Sequence, residues 1–269
     1  MSSDAPLIVS EIQQRREGLW MSDSTGAAKF AKAKAIQSQK FSLEKSRSVH
    51  FSLPRRILRK LVHFFSYHFI LKLPRTTVTR VAGLKLTIRP TVFHPRIFLT
   101  SKFFATFIQG LDLSGKRVAD VGTGSGILAL SAAKAGAQRV FALDINRAAA
   151  ETAAFNAAQN SLADRVVALE SNLFSAVPSD EKFDVIISSP PSFSGEPYGI
   201  ADRAWHAGPN YRDIAMLFEE ARERIAPDGV MYLLLSSDSD LELLGKLINR
   251  AGFSAIYLSA KSIFVESFI

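Results

Sequence analysis

Hydrophobic residues gather in short runs between longer amphipathic stretches from about residue 111 onward. The runs over 117–121, 139–143, 166–169 and 183–188 are rich in Val, Ile, Leu, Ala and Phe and predict buried strands, each followed by a polar or glycine-rich turn. A helix is predicted over 127–135, directly after the first strand. Strands alternating with helices predict an α/β fold around a parallel sheet.

The pattern continues toward the C-terminus with a predicted helix over 210–225, a strand over 230–235 and a helix over 241–251. Two further strands are predicted over 255–259 and 263–265. Together these elements predict a seven-stranded, mostly parallel, Rossmann-like sheet with helices on both faces and its last strand antiparallel. We assign this catalytic domain to residues 111–269.

Two segments precede the domain. Residues 1–50 are rich in Ser, Ala, Lys and Gln without a clear period, and we expect them to be disordered. Residues 51–110 form a predicted extension that contains a basic amphipathic helix over 52–71. The extension continues with a β-hairpin over 76–88 that turns at Ala82 and Gly83.

Charge is distributed unevenly along the chain. Residues 1–110 contain 19 Lys and Arg but 5 Asp and Glu, whereas the remainder contains 14 and 20, and the whole chain has a net charge of +8. The asymmetry indicates an anionic partner. For the helix over 52–71 three roles stay open: packing on the catalytic domain, peripheral contact with an anionic membrane, or docking to nucleic acid or an acidic protein.

The chain has no cysteine, which excludes disulfides, thiolate zinc sites and a cysteine nucleophile. Isolated histidines such as His63, His68 and His94 do not have a metal-ligand spacing, so no metal is expected. No apolar run reaches the roughly 18–20 residues of a membrane-spanning helix. These features favour a cytoplasmic protein, with peripheral contact at the inner membrane surface as an alternative.

The turn after the first predicted strand has glycine at every second position, Gly122, Gly124 and Gly126, preceded by Asp120. Glycine permits positive φ and close approach of a ligand to the backbone. A turn between strand and helix also presents free N–H groups to a bound molecule. This segment therefore predicts a cradle for a nucleotide-like cofactor, although such a turn also occurs as a purely structural feature.

Polar residues follow the next strands. Asp144 lies 18 residues beyond Gly126, where nucleotide-binding folds place a ribose-binding acid. Asn172 follows the third strand, and Ser189, Pro190 and Pro191 follow the fourth. The carboxyl ends of parallel strands share one edge of the sheet, so these residues are expected to meet. Simpler roles are a helix N-cap for Asp144, a turn for Asn172 and strand termination for the two prolines.

The chain resembles the class I S-adenosylmethionine-dependent methyltransferases, in particular the release-factor glutamine methyltransferase branch. The resemblance lies in the order of three motifs: Asp-x-Gly-x-Gly-x-Gly, an acid after the second strand, and x-Pro-Pro-x after the fourth. Residues 201–208 resemble an Ala-Trp-x-Gly-Gly stretch of that branch, and residues 90–95 with Thr100 resemble its entry loop. The resemblance implies S-adenosyl-L-methionine as cofactor. It implies cofactor contacts from Asp120, Gly122, Thr123, Gly124, Gly126, Asp144, Ile145, Asn172, Ser189, Phe93, Pro95 and Thr100.

The same resemblance implies that Ser189, Pro190, Pro191 and Phe193 hold the methyl acceptor. The chain differs from the family at Ser189, which replaces Asn or Asp, and at Ser192, which replaces an aromatic residue. Phe193, one residue later, either takes the place of that aromatic residue beside the acceptor or belongs to the hydrophobic core. We expect N-methylation of a protein side chain or a small amine or amide. The alternatives are an RNA acceptor (rRNA or tRNA), a lipid or membrane-associated small molecule, or a non-catalytic cofactor-binding subunit.

Overall fold

The computed structural model describes residues 6–14, 75–92, 99–236 and 239–262. The strands are β1 (Pro6–Gln14), β2 (Thr77–Val81), β3 (Leu84–Ile88), β4 (Arg117–Val121), β5 (Arg139–Asp144), β6 (Val166–Glu170), β7 (Phe183–Ser188), β8 (Ile225–Leu235) and β9 (Phe253–Ser262). The helices are α1 (Leu99–Gln109), α2 (Ile127–Lys134), α3 (Arg147–Gln159), α4 (Arg212–Arg224) and α5 (Leu241–Arg250). Two short 3₁₀ turns, Asp202–Ala204 and Pro209–Tyr211, lie before α4.

The main sheet has the strand order β6-β5-β4-β7-β8-β1-β9. The five strands from β6 to β8 pair in parallel, so their carboxyl ends lie along one edge. The chain moves outward from β4 to β5 and β6 and then returns to β7 on the other side of β4. That reversal is the topological switch point at which open α/β sheets bind ligands.

The outer part of the sheet differs from the sequence prediction. Strand β1 lies between β8 and β9 and is antiparallel to both, with Ile8 opposite Leu235 and Pro6 opposite Ser262. Residues 6–14 were predicted to be disordered, and the antiparallel strand was predicted at 263–265, which lies outside the described residues. The difference arises because a short run, Leu7-Ile-Val-Ser-Glu-Ile12, has strong β propensity within a segment that is polar on average.

Helices cover both faces of the sheet. On one face α1, α2 and α3 pack with the β2–β3 hairpin in a single apolar cluster that includes Phe104, Leu130 and Ala153. On the other face α4 and α5 bury Phe218 and Ile248 against the strands. In the part of the chain that the structure describes, we find no helix long and apolar enough to cross a membrane.

The predicted hairpin is confirmed: β2 and β3 pair antiparallel, and the turn residues Ala82 and Gly83 have φ of 49° and 71°. Positive φ at both turn positions is typical of a two-residue type I′ connection. Two asparagines of α3 hold the outer edge of β3. Asn156 accepts from Thr87 N at 2.8 Å and donates to Thr87 O at 3.0 Å, and Asn160 makes the equivalent pair with Lys85 at 3.0 and 2.7 Å. These side-chain amides satisfy a strand edge in the way a neighbouring strand would.

Candidate functional site

A cavity of about 490 Å³ opens at the carboxyl ends of β4, β5, β6 and β7. Its volume lies within the range usual for small-molecule sites. The cavity is where the strand order reverses, as the sequence predicted for the ligand crevice. The predicted site residues that line it are Gly122, Thr123, Gly124, Asp144, Ile145, Asn172, Ser189, Pro190 and Pro191.

The glycine turn exposes its backbone to this cavity. Gly122 and Gly124 have φ of +79° and +54°, and a Cβ atom added at either would meet no atom within 4 Å. Gly126 has a different role. With φ of +82°, its added Cβ would lie 3.0 Å from Cα and Cβ of Ala153, so Gly126 allows α2 to pack against α3. The first two glycines therefore keep space open for a ligand, whereas the third permits helix packing.

Asp144 connects the glycine turn to the end of β5. Its Oδ2 accepts a hydrogen bond from Gly124 N at 2.8 Å, and its Oδ1 accepts one from Asn146 N at 2.9 Å. Burial raises the pKa of the Asp144 carboxyl, although both hydrogen bonds act in the opposite direction. The N-cap of α3 is Asn146, whose side chain accepts from Ala148 N at 3.0 Å. The alternative role of Asp144 as that N-cap is therefore wrong, and its carboxylate belongs to the cavity wall.

Asp120 lies behind the turn and is fully buried. Its Oδ2 accepts from Thr123 Oγ1 at 2.6 Å and from Ala129 N at 3.0 Å. Burial, which outweighs these bonds, raises the pKa of Asp120 to about 7. Among the described residues Asp120 Oδ1 has no hydrogen-bond partner. A buried polar atom of this kind is energetically unfavourable unless something outside the described residues satisfies it.

The loop after β7 is held from both ends. Ser188 Oγ donates to Val121 O at 2.8 Å, which joins β7 to β4 at the switch point. Farther along, Ser192 O accepts from Tyr211 Oη at 3.1 Å and from Ser239 Oγ at 3.0 Å. Between these anchors lie exposed Ser189 and the two half-buried prolines. The segment predicted to hold the acceptor is thus fixed against the cavity.

Phe193 was predicted to be either an aromatic wall or core. Its backbone pairs with the segment around His206, since Phe193 N donates to Trp205 O at 3.0 Å and Ala207 N donates to Phe193 O at 2.9 Å. The half-buried Phe193 ring lies 6.1 Å from the His206 ring, whereas Trp205 and His206 line the cavity. Trp205 and His206 were not among the predicted site residues, although the similarity of residues 201–208 to the Ala-Trp-x-Gly-Gly stretch was the available signal.

The entry side of the cavity is formed by Thr91, Val92 and the beginning of α1, where Ser101 and Phe104 contribute. Asn146 Nδ2 donates to Thr91 O at 3.2 Å and so holds this segment against the end of β5. The predicted cofactor residues Phe93 and Pro95 lie outside the described residues. Thr100 lies in the first turn of α1, and its role stays a prediction.

These features suit a nucleoside-type cofactor. An exposed glycine turn, a carboxylate at the next strand end and an exposed Asn172 are the groups that ribose hydroxyls and a base can use. Asp120 lies behind the turn and is not among the described residues that line the cavity. In the described ranges we find no cluster of His, Asp or Glu that could hold a metal ion.

Comparison with known proteins agrees with this geometry. The family model of the ribosomal protein L11 methyltransferases (PrmA) matches residues 99–189. The L11 methyltransferase of Desulforamulus reducens is 40% identical over 96 residues, which are 36% of this chain and 29% of that protein. The release factor glutamine methyltransferase of Rhodopirellula baltica is 34% identical over 136 residues, 46% of each protein. The chain thus spans less than half the length of these relatives.

A solved structure has the same fold. The Thermus thermophilus 16S rRNA N2 G1207 methyltransferase (RsmC) in complex with AdoMet and guanosine superposes with a TM-score of 0.50 at 22% identity. The match covers 69% of this chain and 50% of that one. The matching family model ends at the strand and loop that contain Ser188 and Ser189, so the shared part includes the cofactor side of the cavity.

Proposed function

We propose that this chain, a class I S-adenosylmethionine-dependent methyltransferase by its cofactor site and its relatives, methylates a nitrogen of a protein side chain or of a small amine or amide. The observation that best supports the cofactor part of this proposal is the 2.8 Å hydrogen bond from Gly124 N to Asp144 Oδ2, two residues that line the same cavity as the Ser189-Pro-Pro segment. The cavity is thus lined both by groups that suit the methyl donor and by the segment expected to hold the acceptor.

The bound cofactor supplies a methyl group on a positively charged sulfur. Asp144 would accept hydrogen bonds from its ribose hydroxyls, Asn172 would contact its adenine end, and the glycine turn would pass close to its amino-acid part. On the acceptor side, the Ser189 hydroxyl and the Pro190 carbonyl would orient the attacking nitrogen. Positioning of this kind supplies up to about 7–11 kcal/mol of barrier reduction.

A protein acceptor is favoured by the two relatives described above. Their names identify ribosomal protein L11 and a release factor glutamine as the groups that those enzymes methylate. Ser189 at the acceptor loop argues against a simple transfer of the glutamine specificity, because a serine hydroxyl is shorter than a carboxamide and also donates.

RNA is the second candidate because of charge. The 19 Lys and Arg against 5 Asp and Glu in residues 1–110 give the region a strong positive potential, which favours phosphate backbones. The same feature supports the anionic-membrane alternative for residues 52–71, which lie outside the described residues.

Methyl transfer from labelled S-adenosylmethionine into a bacterial extract separated into protein, RNA, lipid and small-molecule fractions tests the proposal. We expect label in the protein or small-amine fraction, and less of it with Asp144→Ala when the cofactor is limiting. Label confined to RNA would replace the first candidate by the second. Cofactor binding without label in any fraction would refute catalysis and leave a cofactor-binding subunit.

A further inference from the structure

A histidine–carboxylate pair lies beside the predicted acceptor loop. His206 Nδ1 is 3.1 Å from Asp202 Oδ1, and the Asp202 side chain is 3% exposed against 25% for His206. His206 lines the same cavity as Ser189 and Pro190. The pair thus places an imidazole in the cavity wall with a buried acid behind it.

The backbone fixes the position of both residues. Asp202 O accepts from His206 N at 3.0 Å and from Trp205 N at 2.9 Å, while Asp202 Oδ2 accepts from Tyr198 N at 2.9 Å. On its other side, His206 forms a parallel bridge with Phe193 in the acceptor loop. His206 is therefore joined to the loop that would hold the acceptor, and the Asp202 carboxylate is held by Tyr198 N.

Proton transfer is the chemistry that such a pair provides. Imidazole accepts protons near neutral pH, and a nearby carboxylate stabilises the imidazolium. An amide or an aromatic amine is already neutral at that pH, although the lone pair of an amide is delocalised into its carbonyl group. An alkyl amine is protonated, because lysine-type amines have a pKa near 10.4, so it must lose a proton before it can attack a methyl group.

We propose that His206 is the proton acceptor for a protonated alkyl amine, such as a lysine side chain, with Asp202 as its positioning residue. This inference rests on the methyltransferase function proposed above and narrows its acceptor class. The ammonium gives one proton to His206 Nε2. The nitrogen lone pair then forms a bond to the methyl carbon while the carbon–sulfur bond breaks. The electron pair of the carbon–sulfur bond stays on sulfur. The imidazolium afterwards loses its proton to solvent.

The charges around the ring are consistent with this role. Arg203 and Asp213 both line the cavity and pair with each other at 3.2 Å. Arg212 pairs with Glu196 at 3.3 Å and with Asp213 at 3.1 Å, so both arginines have acidic partners. Asp202 Oδ1, at 3.1 Å, is the carboxylate oxygen that lies next to the imidazole.

The test compares the full chain with His206→Asn and Asp202→Asn, using labelled S-adenosylmethionine and the protein fraction of a bacterial extract. Acid hydrolysis identifies the methylated amino acid, and rates are measured from pH 6 to pH 10. We expect a methylated alkyl amine and a loss of about 10²–10⁴-fold for His206→Asn at pH 7. The variant should recover as pH rises toward the pKa of the amine, because solvent then supplies the free base. Asp202→Asn should show a smaller loss with the same recovery.

Cofactor affinity, measured by calorimetry on each variant, separates the possible failures. Unchanged affinity with the pH-dependent loss supports the role of His206. A His206→Asn variant that is active at all pH values, loses activity equally at all of them, or loses cofactor binding overturns it. Label found on an amide also overturns it but leaves the methyltransferase proposal in place. Wild type that binds cofactor and labels no fraction overturns both.

Discussion

Gly124 and Gly126 provide a matched pair of substitutions for separating cofactor binding from folding. An alanine at either position must adopt positive φ, which costs roughly 1–2 kcal/mol. About 0.4–1 kcal/mol of this is offset, because alanine has fewer conformations than glycine in the unfolded chain. At Gly126 the new methyl group would also lie 3.0 Å from Ala153 Cα, whereas at Gly124 it would meet nothing within 4 Å. Overpacking of this kind costs about 1–3 kcal/mol more.

Gly126→Ala should therefore unfold at lower urea concentration than Gly124→Ala, with a difference in unfolding free energy of about 1–3 kcal/mol. Binding should show the reverse order. The methyl group of Gly124→Ala would occupy space next to the cofactor, so we expect at least a tenfold loss of affinity, about 1.4 kcal/mol. Circular dichroism during urea titration gives the first quantity and calorimetry with S-adenosylmethionine the second. Equal destabilisation by the two substitutions, or unchanged affinity in Gly124→Ala, would refute the assignment of separate roles.

Two further predictions concern stability. The pKa of Asp120 is raised from 3.8 to about 7, so its contribution to stability is full at low pH and is lost as pH rises from about 4 through 7. In the wild type this lowers the unfolding free energy by on the order of 4 kcal/mol as pH rises. Asp120→Asn keeps an acceptor for Thr123 and Ala129 but does not titrate, so its stability should depend less on pH. Urea midpoints of both proteins at pH 4.5 and 7.5 test this prediction, and the same change in midpoint in the wild type and in Asp120→Asn would contradict it. Asn156→Ala removes bonds to both backbone groups of Thr87 and should cost about 2–4 kcal/mol, more than Asn160→Ala at the exposed Lys85. Equal urea midpoints for the two variants would contradict this order.

The central sheet could be predicted closely because each strand was a short apolar run that ended in a turn. Strands β4 and β7 have the predicted bounds, and the residues at their carboxyl ends meet in one cavity. This success depends on parallel topology, which places successive strand ends along one edge. The β2–β3 hairpin could also be predicted, since Ala82-Gly83 separates two segments in which hydrophobic and polar residues alternate.

The position of β1 could not be predicted in the same way. Its pairing with β8 and β9 joins residues that are more than 200 positions apart, and no local pattern encodes such a contact. The average composition of the first fifty residues also concealed a nine-residue strand.

The acceptor side of the cavity was only partly predictable. Ser189 and Pro190 follow a recognisable strand, whereas His206 lies in a loop that is joined to the acceptor loop by isolated bridges such as the one to Phe193. Asp202 lies in the 3₁₀ turn just before it. A spacing of four residues between Asp202 and His206 is too common to mark a site by itself.

Calorimetric titration of S-adenosylmethionine into the wild-type chain and into Asp144→Ala tests whether this cavity binds the methyl donor. We expect the wild type to bind with one site per chain. We expect Asp144→Ala to weaken binding by about 10–150-fold, which corresponds to loss of a charged hydrogen bond of about 1.5–3 kcal/mol. No binding to the folded wild-type chain, or equal affinity in the two proteins, would contradict the assignment of this cavity to the methyl donor.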